Sequence, residues 1–312
     1  MTSLAPPHPT QRAHHAGQAL TPWLFAAPAL ALLLVFLVLP FALAFGFSFT
    51  DQRLIVNEDL GTRFVGARNY IRLFDDESFW AALRNNFFFV VVVVPLQSLF
   101  ALLLALLVNQ KLAGTRFFRT IYFMPVATTM AVVAVVWTLL YSPDAGVINR
   151  LVGALSFGLI GPQDWLRDPA LVMPAIMLLS IWQGAGFQML VFLAGLQSIP
   201  HDLYEAATLD GATPWQQFRH ITLPMLKNTT IFVLVTTTIA AFQLFTQVQI
   251  IAGSGASAPA DSFRTMVMLM VQEGFGNGKI GYASAISVVF FIIVLAVSLV
   301  QRLVMREERA VS

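Results

Sequence analysis

The chain lacks the residues that most enzymes use for covalent catalysis or metal binding. Its 312 residues include no cysteine, which excludes disulfides, thiol catalysis and cysteine-based metal sites. The histidines lie outside the apolar runs and show no spacing typical of metal ligands; they are His8, His14, His15, His201 and His220. The sequence therefore predicts no catalytic residue, no metal site and no cofactor bound by this chain.

One glycine-rich segment, Gly274 to Lys279, superficially suggests a phosphate-binding loop. It lacks one of the glycines that the motif requires, and Ile280 stands where a serine or threonine should follow the lysine. We interpret the segment as part of a loop between apolar runs. The chain is therefore not expected to hydrolyse ATP, and the energy for any active process has to come from a partner.

Uncharged hydrogen-bonding side chains occur inside the apolar runs, where a bilayer demands partners or a water-filled cavity for them. No clearly ionised residue joins them, so a proton or ion relay has no obvious carrier. Amides and hydroxyls suit a neutral polyol, and Trp182 and Phe187 offer flat apolar faces for a sugar ring. The alternative is that these groups bond neighbouring helices to one another. They are Gln97, Thr128, Thr129, Ser180, Gln183, Gln188, Thr237, Gln243 and Gln247.

The composition indicates that these residues belong to a membrane protein. Apolar residues make up 57% of the chain and charged residues 11%, against about 25% charged in soluble domains. The net charge of +2 provides no basic surface for nucleic acid. Membrane lipid, and not nucleic acid, is therefore the expected surrounding.

Six apolar runs are long enough to cross a bilayer as helices, at about 1.5 Å per residue. They predict an all-α polytopic membrane protein with one domain over residues 23–305, a flexible tail at 1–22 and a second tail at 306–312. Residues 51–80, 142–168 and 253–279 are expected to be loops. The runs are Trp23–Phe49, Phe87–Val108 (in a helix that begins near Ala82), Phe117–Tyr141, Pro169–Gln197, Asn228–Ala252 and Gly281–Val304.

Residues 199–226 form the longest polar passage between two of these runs and predict two short helices joined by a turn. Gly211 predicts a helix stop, because glycine adopts the left-handed conformation without strain. Thr213-Pro214 then starts a helix as cap and first residue. Leu223-Pro224 ends that helix or turns it into the next apolar run. A helical surface loop without a partner is the alternative interpretation.

The same stretch resembles the EAA motif of the membrane-spanning subunits of bacterial ABC importers. Glu205-Ala206-Ala207, Gly211 and Ile221-Thr222-Leu223-Pro224 match the motif at every marked position. The resemblance implies a cytoplasmic coupling helix that docks into a groove on an ATP-hydrolysing subunit. The residues that it assigns to ATPase coupling are Leu203, Glu205, Ala206, Ala207, Asp210, Gly211, Ile221, Leu223 and Pro224.

Further segments resemble the first permease of carbohydrate and glycerol-phosphate importers of the maltose type. They include Phe64-Val65-Gly66, Leu193 to Pro200 and Gly281 to Ala285, whereas Gly253-Ser254-Gly255-Ala256 departs from the usual turn. The resemblance implies six transmembrane helices of the type I ABC importer kind and half of a translocation path. The residues that we assign to the substrate path are Thr128, Thr129, Ser180, Gln183, Gly184, Phe187, Gln188, Thr237 and Gln243.

The resemblance also implies a set of partners and a location. A second homologous permease, two cytoplasmic ATPase subunits that hold ATP and Mg, and an extracytoplasmic solute-binding protein are expected, the last of these near residues 254–261. Both termini are expected in the cytoplasm of a bacterial cell, with the chain in its inner membrane. Lysine and arginine divide equally between the two sides, so charge alone does not decide the orientation.

Two other classes of function remain open at this point. A secondary transporter or channel would work alone on an ion gradient, and the lack of charged residues in the apolar runs argues against it. A membrane-embedded enzyme would need catalytic groups that the runs do not contain. Within the transporter interpretation, sugar, oligosaccharide, polyol and glycerol phosphate all remain possible solutes.

Overall fold

The computed structural model of the chain describes residues 13–55, 61–110, 114–254 and 258–305. Within these ranges the chain is helical, and β-structure is confined to one antiparallel bridge between Thr50 and Phe64. This confirms the prediction of an all-α protein. The predicted tail at 306–312 lies outside the described residues, and the predicted flexible tail at 1–22 is helical from Ala13 onward. Extending an existing helix is easier than starting one, so the first apolar helix grows backward into the tail.

The α-helices are numbered along the described chain. They are α1 (Ala13–Leu33), α2 (Leu39–Phe47), α3 (Arg68–Phe74), α4 (Glu77–Asn109), α5 (Thr115–Ala127), α6 (Met130–Leu140), α7 (Val147–Leu155), α8 (Val172–Gln197), α9 (His201–Leu209), α10 (Pro214–Gln217), α11 (Leu223–Met225), α12 (Lys227–Phe242), α13 (Thr246–Gly253), α14 (Met266–Val271) and α15 (Ile280–Val304). Wider π-helical turns occur at Leu34–Val38, Phe218–Thr222 and Gln272–Gly276, and a 3₁₀ turn at Ala260–Ser262.

Five helical segments of the described chain are long and apolar enough to cross a membrane. They correspond to five of the six predicted runs and are Pro22–Phe47, Glu77–Asn109, Val172–Gln197, Lys227–Gly253 and Ile280–Val304. The remaining run is the bent pair α5–α6, which provides a sixth crossing if its two helices count as one span.

The bent pair corrects the prediction of one straight helix from Phe117 to Tyr141. Its two helices meet at 99°, and Thr128 and Thr129 between them adopt extended backbone angles, each with ψ of 139°. Pro125 lacks an amide N–H, and the β-branched threonines favour extended backbone. The helical hydrogen-bond ladder is therefore interrupted at this point of the run.

A second break divides the fifth run between α12 and α13. Gln243 ends α12, and Phe245 leaves the helical region with φ of −146° and ψ of −59°. Backbone carbonyls freed at the break find partners inside the protein. The carbonyl of Phe242 accepts from Asn86 Nδ2 at 3.2 Å, and that of Leu244 accepts from Thr265 Oγ1 at 2.9 Å. A break at membrane depth is tolerated only with such partners.

The three segments predicted as loops contain helices. Residues 51–80 include α3 and the first turn of α4, which begins at Glu77 and not near Ala82, because Asp76 caps it by accepting from the amide of Ser78 at 2.9 Å. Residues 142–168 contain α7. Residues 253–279 contain α14 and the π-helical turn at 272–276, so the first half of the glycine-rich segment, 274–276, is helical and 277–279 form a loop.

The long helices α4 and α8 form the centre of the packing and run parallel. One cluster of buried apolar side chains joins their starts, near Phe79 and Ile176, and a second joins their ends, near Ala105 and Phe192. The chain between two parallel spans has to return across the membrane. The bent pair α5–α6 is the apolar segment available for that return, and counting it as one span gives six crossings in the described part of the chain.

The direction of the helices places the loops on two faces. Tyr282 at the start of α15 donates to Asp76 at the start of α4 at 2.6 Å, so α15 runs parallel to both α4 and α8. The amide of Gly281 donates to the carbonyl of Gln52, which follows α2, so α1–α2 runs opposite to α15. The start of α1, the end of α15 and residues 199–226 therefore share one face.

Glycines on α8 allow close helix packing. A Cβ atom on Gly186 would overlap the backbone carbonyl oxygen of Tyr122 in α5, whereas a Cβ atom on Gly46 in α2 would meet nothing within 4 Å. Small residues at such contacts let helix backbones approach one another in membrane proteins.

We expect Gly186→Ala to lower the stability of the purified chain by about 1–3 kcal/mol, because the added methyl group forces α5 and α8 apart. Gly46→Ala is the matched control and should leave stability unchanged or raise it slightly, because alanine is the better helix former. Thermal unfolding in detergent, followed by tryptophan fluorescence, measures both. Equal melting temperatures for the two variants would refute the packing role of Gly186.

Candidate functional site

Residues 199–226 fold as two short helices joined by a turn, and we call this unit the 199–226 hairpin. Gly211 ends α9 with φ of 76°. The amide of Gly211 donates to the carbonyl of Thr208 at 3.1 Å, and that of Ala212 to the carbonyl of Ala207 at 2.9 Å. This is the Schellman pattern, which satisfies the last carbonyls of a helix. A Cβ atom at position 211 would meet nothing within 4 Å, so only the backbone conformation requires glycine there.

The second helix of the hairpin starts with the predicted cap. Thr213 and Gln216 form a reciprocal capping box, in which Gln216 Oε1 accepts from the amide of Thr213 at 2.7 Å, and Pro214 follows the cap directly. The helix then passes through a π-helical turn, where the amide of Leu223 donates to the carbonyl of Phe218. This wide turn accommodates Pro224 in the continuing helix. Leu223-Pro224 therefore leads into α12 and does not end the helix.

Side-chain hydrogen bonds hold the two halves of the hairpin together. The hydroxyls of Tyr204 and Thr222 lie 2.9 Å apart, and Gln217 Nε2 donates to Thr208 Oγ1 at 2.9 Å. Ile199 and Leu226, at the two ends of the hairpin, are buried in the apolar cluster that joins the ends of α4 and α8. The hairpin is therefore fixed to the ends of the spans.

The exposed surface of the hairpin contains most of the residues assigned to ATPase coupling. Leu203, Glu205, Ala206, Asp210, Gly211, Leu223 and Pro224 are exposed, and Ala207 and Ile221 are half-buried. His201 Nδ1 lies 3.2 Å from Glu205 Oε1 across one exposed turn. A surface notch of about 370 Å³ lies between the two helices and includes Ala207, Asp210, Gly211 and Ile221.

Two apolar residues at the tip of the hairpin were not predicted as site residues. Leu209 is 90% exposed and Trp215 is 66% exposed. Large apolar side chains on an exposed tip indicate a surface that a partner covers. The available signal was the occurrence of these two residues within an otherwise polar passage.

A second candidate site is a cavity of about 140 Å³ between the spans. Its walls come from α4, α8 and α12, and it reaches both helix breaks at Met130 and Leu244. The lining residues carry no charge. They are Phe89, Val93, Gln97, Met130, Ser180, Gln183, Gly184, Thr237, Ala240, Ala241, Leu244 and Gln247.

Hydroxyl groups near this cavity connect neighbouring helices in a repeated arrangement. Thr237 Oγ1 donates to the carbonyl of Val233 in its own helix and accepts from Gln188 Nε2 at 2.5 Å. Ser180 Oγ likewise donates within α8 and accepts from Gln247 Nε2 at 3.2 Å. Each hydroxyl donates to a backbone carbonyl of its own helix and accepts a hydrogen bond from a side-chain amide on another helix. This arrangement supports the interpretation of these groups as bonds between helices.

The structure brings together part of the predicted substrate path. Ser180, Gln183, Gly184 and Thr237 line the cavity, and Gln188 reaches it through Thr237. Gln97 and Gln247 also line it, although we did not assign them to the path. Their sequence signal was the same as for the others, an amide inside an apolar run.

The remaining path residues lie elsewhere. Thr128 lines a separate, mostly apolar cavity of about 410 Å³ together with Trp182 and Pro125. Thr129 lies exposed in the bend of α5–α6, and Phe187 and Gln243 are exposed on α8 and at the end of α12. These four residues therefore do not share the cavity between the spans.

No metal centre is found in the part of the chain that the structure describes, where no group of three or more histidine or carboxylate side chains could hold an ion. Lys279 of the glycine-rich segment forms an ion pair with Glu273 at 3.0 Å, so its ammonium group is already occupied. Residues 277–279 lie in the predicted loop, whereas residues 274–276 belong to the π-helical turn.

Comparison with known proteins identifies relatives that cover most of the chain. Residues 97–309 match the family model described as "Binding-protein-dependent transport system inner membrane component". The lactose transport system permease protein LacF of Rhizobium radiobacter is 34% identical over 290 residues, which cover 92% of this chain and 94% of that protein. The trehalose/maltose transport system permease protein MalF of Thermococcus litoralis is 33% identical over 278 residues, 89% of this chain and 91% of that protein.

A solved structure shares the fold. It is the crystal structure of a bacterial ABC transporter involved in the import of the acidic polysaccharide alginate, matched with a TM-score of 0.73 over 95% of this chain and 99% of that chain. The sequences are 23% identical, so this likeness is one of fold.

The contact between Gln188 and Thr237 can be tested by a double-mutant cycle with Gln188→Leu and Thr237→Val. We expect a coupling energy of about 0.6 kcal/mol, the average found for hydrogen bonds between membrane helices, and at most about 1.7 kcal/mol. Unfolding of the purified chain in mixed detergent micelles measures the four free energies. A coupling energy near zero would mean that this hydrogen bond does not stabilise the packing of α8 on α12.

Proposed function

Because the chain belongs to the family of binding-protein-dependent transport system inner membrane components, we propose that it is a permease subunit of an ATP-driven carbohydrate importer. One observation carries this proposal. The 199–226 hairpin is continuous at its two ends with α8 and α12, and both helices line the cavity between the spans. A movement of the hairpin therefore has a direct route to the cavity. As a transport component the chain is not an enzyme.

The chemistry of the cavity supports a neutral, hydroxyl-rich solute. Its polar lining consists of amides and hydroxyls, which can donate to and accept from sugar hydroxyls. Relatives named for lactose and for trehalose/maltose transport agree with this class. A glycerol-phosphate importer is the alternative, but its substrate requires a cation in the path, and the cavity contains none. A second permease could supply that cation.

The size of the cavity supports an alternating mechanism. At about 140 Å³ it is smaller than common ligand pockets, which measure about 300–1,000 Å³. A sugar can pass only when the helices separate, and a second, homologous permease would form the other half of the path. The breaks at 128–129 and 243–245 adjoin the path and provide places where helix segments can change angle.

The energy for this change is proposed to come from two cytoplasmic ATPase subunits that hold ATP and Mg. One of them would bind the exposed surface of the 199–226 hairpin, with Leu209 and Trp215 as apolar anchors. Hydrogen bonds within the hairpin keep it rigid, so a pull on its tip reaches both spans. ATP binding drives the change only if the ATPase binds one arrangement of the spans more tightly than the other.

The proposed orientation places the hairpin and both termini in the cytoplasm and the chain in the cell membrane. The opposite face then meets an extracytoplasmic solute-binding protein. Residues 254–261 are one candidate for that contact; positions 255–257 lie outside the described residues, and Asp261 pairs with Arg264 at 3.0 Å. A secondary transporter with the same fold would continue to take up solute after ATP depletion, which distinguishes it from this proposal.

Variants of Gly211 test the coupling role. We expect Gly211→Val to abolish ATP-dependent uptake while the chain still reaches the membrane, because a β-branched residue resists the left-handed conformation that forms the tip. Gly211→Asn is the matched control and should retain most uptake, because asparagine tolerates that conformation. Uptake of labelled sugar by cells, with immunoblots of the membrane fraction, measures both. Normal uptake by the valine variant would overturn the proposed role.

A further inference from the structure

The short helix α7 carries an exposed apolar stripe that neither candidate site uses. Val147, Leu151 and Leu155 follow one another at four-residue spacing, so their side chains lie on one side of the helix. Their exposed fractions are 48%, 52% and 81%. Large apolar side chains that form a continuous exposed row indicate a binding surface.

The chain extends the stripe beyond the end of α7. Phe157 is 94% exposed, and Leu159 is 89% exposed. Phe157 also has φ of 53°, a left-handed backbone conformation that bulky residues rarely adopt. A strained residue with an exposed ring gains no stability from contacts within the chain. Whatever covers this surface therefore lies outside the chain.

The opposite side of α7 is attached firmly to the protein. Asn149 Nδ2 donates to the carbonyl of Gln163 at 2.9 Å and to that of Pro143 at 3.2 Å, and Asn149 Oδ1 accepts from Trp165 Nε1 at 2.8 Å. Ile148, at the edge of the stripe, packs against the larger apolar cluster. These contacts fix the rotation of α7, so the stripe has to face outward.

The attachment points also set the depth of α7 relative to the membrane. The hydroxyl of Tyr141 donates to the carbonyl of Ala175 at 2.8 Å, and its ring lies 5.9 Å from that of Trp165. Ala175 lies in the first turn of α8. A helix of 26 residues is about 39 Å long and exceeds the hydrocarbon core of about 30 Å, so its first turn lies at the core boundary. Tyrosine and tryptophan are enriched at that depth.

We propose that α7 and residues 157–160 lie in the membrane interface, with the apolar stripe inserted among the lipid chains. The depth of the attachment points brings the stripe level with the lipid boundary, and the stripe offers no charged or hydrogen-bonding side chain to a protein partner. Arg150 is exposed on the same helix and can reach a lipid phosphate. Short helices with one apolar side and a basic residue on the flank bind this region.

The interfacial position has a consequence for the bent pair. Asn149 bonds to Pro143, three residues beyond the end of α6, so α7 anchors that end of the pair at the membrane boundary. The leaflet is the outer one under the proposed orientation, but the depth of the stripe does not depend on that orientation.

Site-directed spin labelling tests the proposal, and the absence of native cysteines makes every introduced cysteine unique in the chain. Single variants Leu151→Cys and Leu155→Cys report on the stripe, Arg150→Cys on its flank, and Asp144→Cys on an exposed turn before α7. The full chain is reconstituted in nanodiscs of phosphatidylethanolamine and phosphatidylglycerol. Collisions with oxygen, which concentrates in lipid, and with a water-soluble nickel chelate then measure the depth of each label.

We expect the ratio of oxygen to nickel collisions to be several-fold higher at positions 151 and 155 than at 144, with position 150 in between. Ratios at 151 and 155 that match position 144 would overturn the proposal. Labels that are accessible to nickel until a solute-binding protein is added, and protected afterwards, would also overturn it and assign the stripe to that protein. Because no arm of the experiment contains an ATPase or measures uptake, neither result depends on ATP-driven transport.

Discussion

The structure depends on one constraint: backbone polar groups inside a bilayer need partners within the protein. The break between α12 and α13 frees carbonyls at membrane depth, and the side chains of Asn86 and Thr265 donate hydrogen bonds to these carbonyls. Asn86 also accepts from the amide of Met266 at 2.7 Å, so one side chain joins α4, α12 and α14. The irregular backbone that adjoins the cavity is therefore stable because two other helices, α4 and α14, support it.

This constraint explains how one fold can combine a fixed hairpin with the helix movements that the proposed transport requires. The 199–226 hairpin is held by its own hydrogen bonds and by an apolar cluster at the ends of the spans. The cavity is bounded by uncharged groups and by two helix breaks, where fewer backbone hydrogen bonds oppose a change of angle. Rigid helices can thus transmit a movement of the hairpin to the helix breaks. At the breaks, the movement can change the angle between helix segments.

The sequence predicted the class of fold and the local structure of the hairpin well. Gly211 predicted a left-handed helix stop, and Thr213-Pro214 predicted a cap followed by the first residue of a helix. The structure contains both features. The bend at Thr128–Thr129 was missed because apolar content alone does not distinguish a straight helix from a bent one.

Helices such as α7 were missed because short amphipathic segments are stabilised by tertiary contacts, here those of Asn149, which no local pattern reveals. The cavity was predicted in part, since which amides face it depends on how α4, α8 and α12 pack.

The proposed mechanism requires an ATPase to bind the exposed tip of the 199–226 hairpin. Photo-crosslinking tests for this contact, with benzoylphenylalanine introduced in place of Leu209, the chain expressed in its own cells, and the product identified by mass spectrometry. We expect a crosslink to a nucleotide-binding subunit that is lost when the label is moved to Leu155 on the other face. A product with lipid or an unrelated protein at Leu209, and no crosslink to an ATPase, would contradict it.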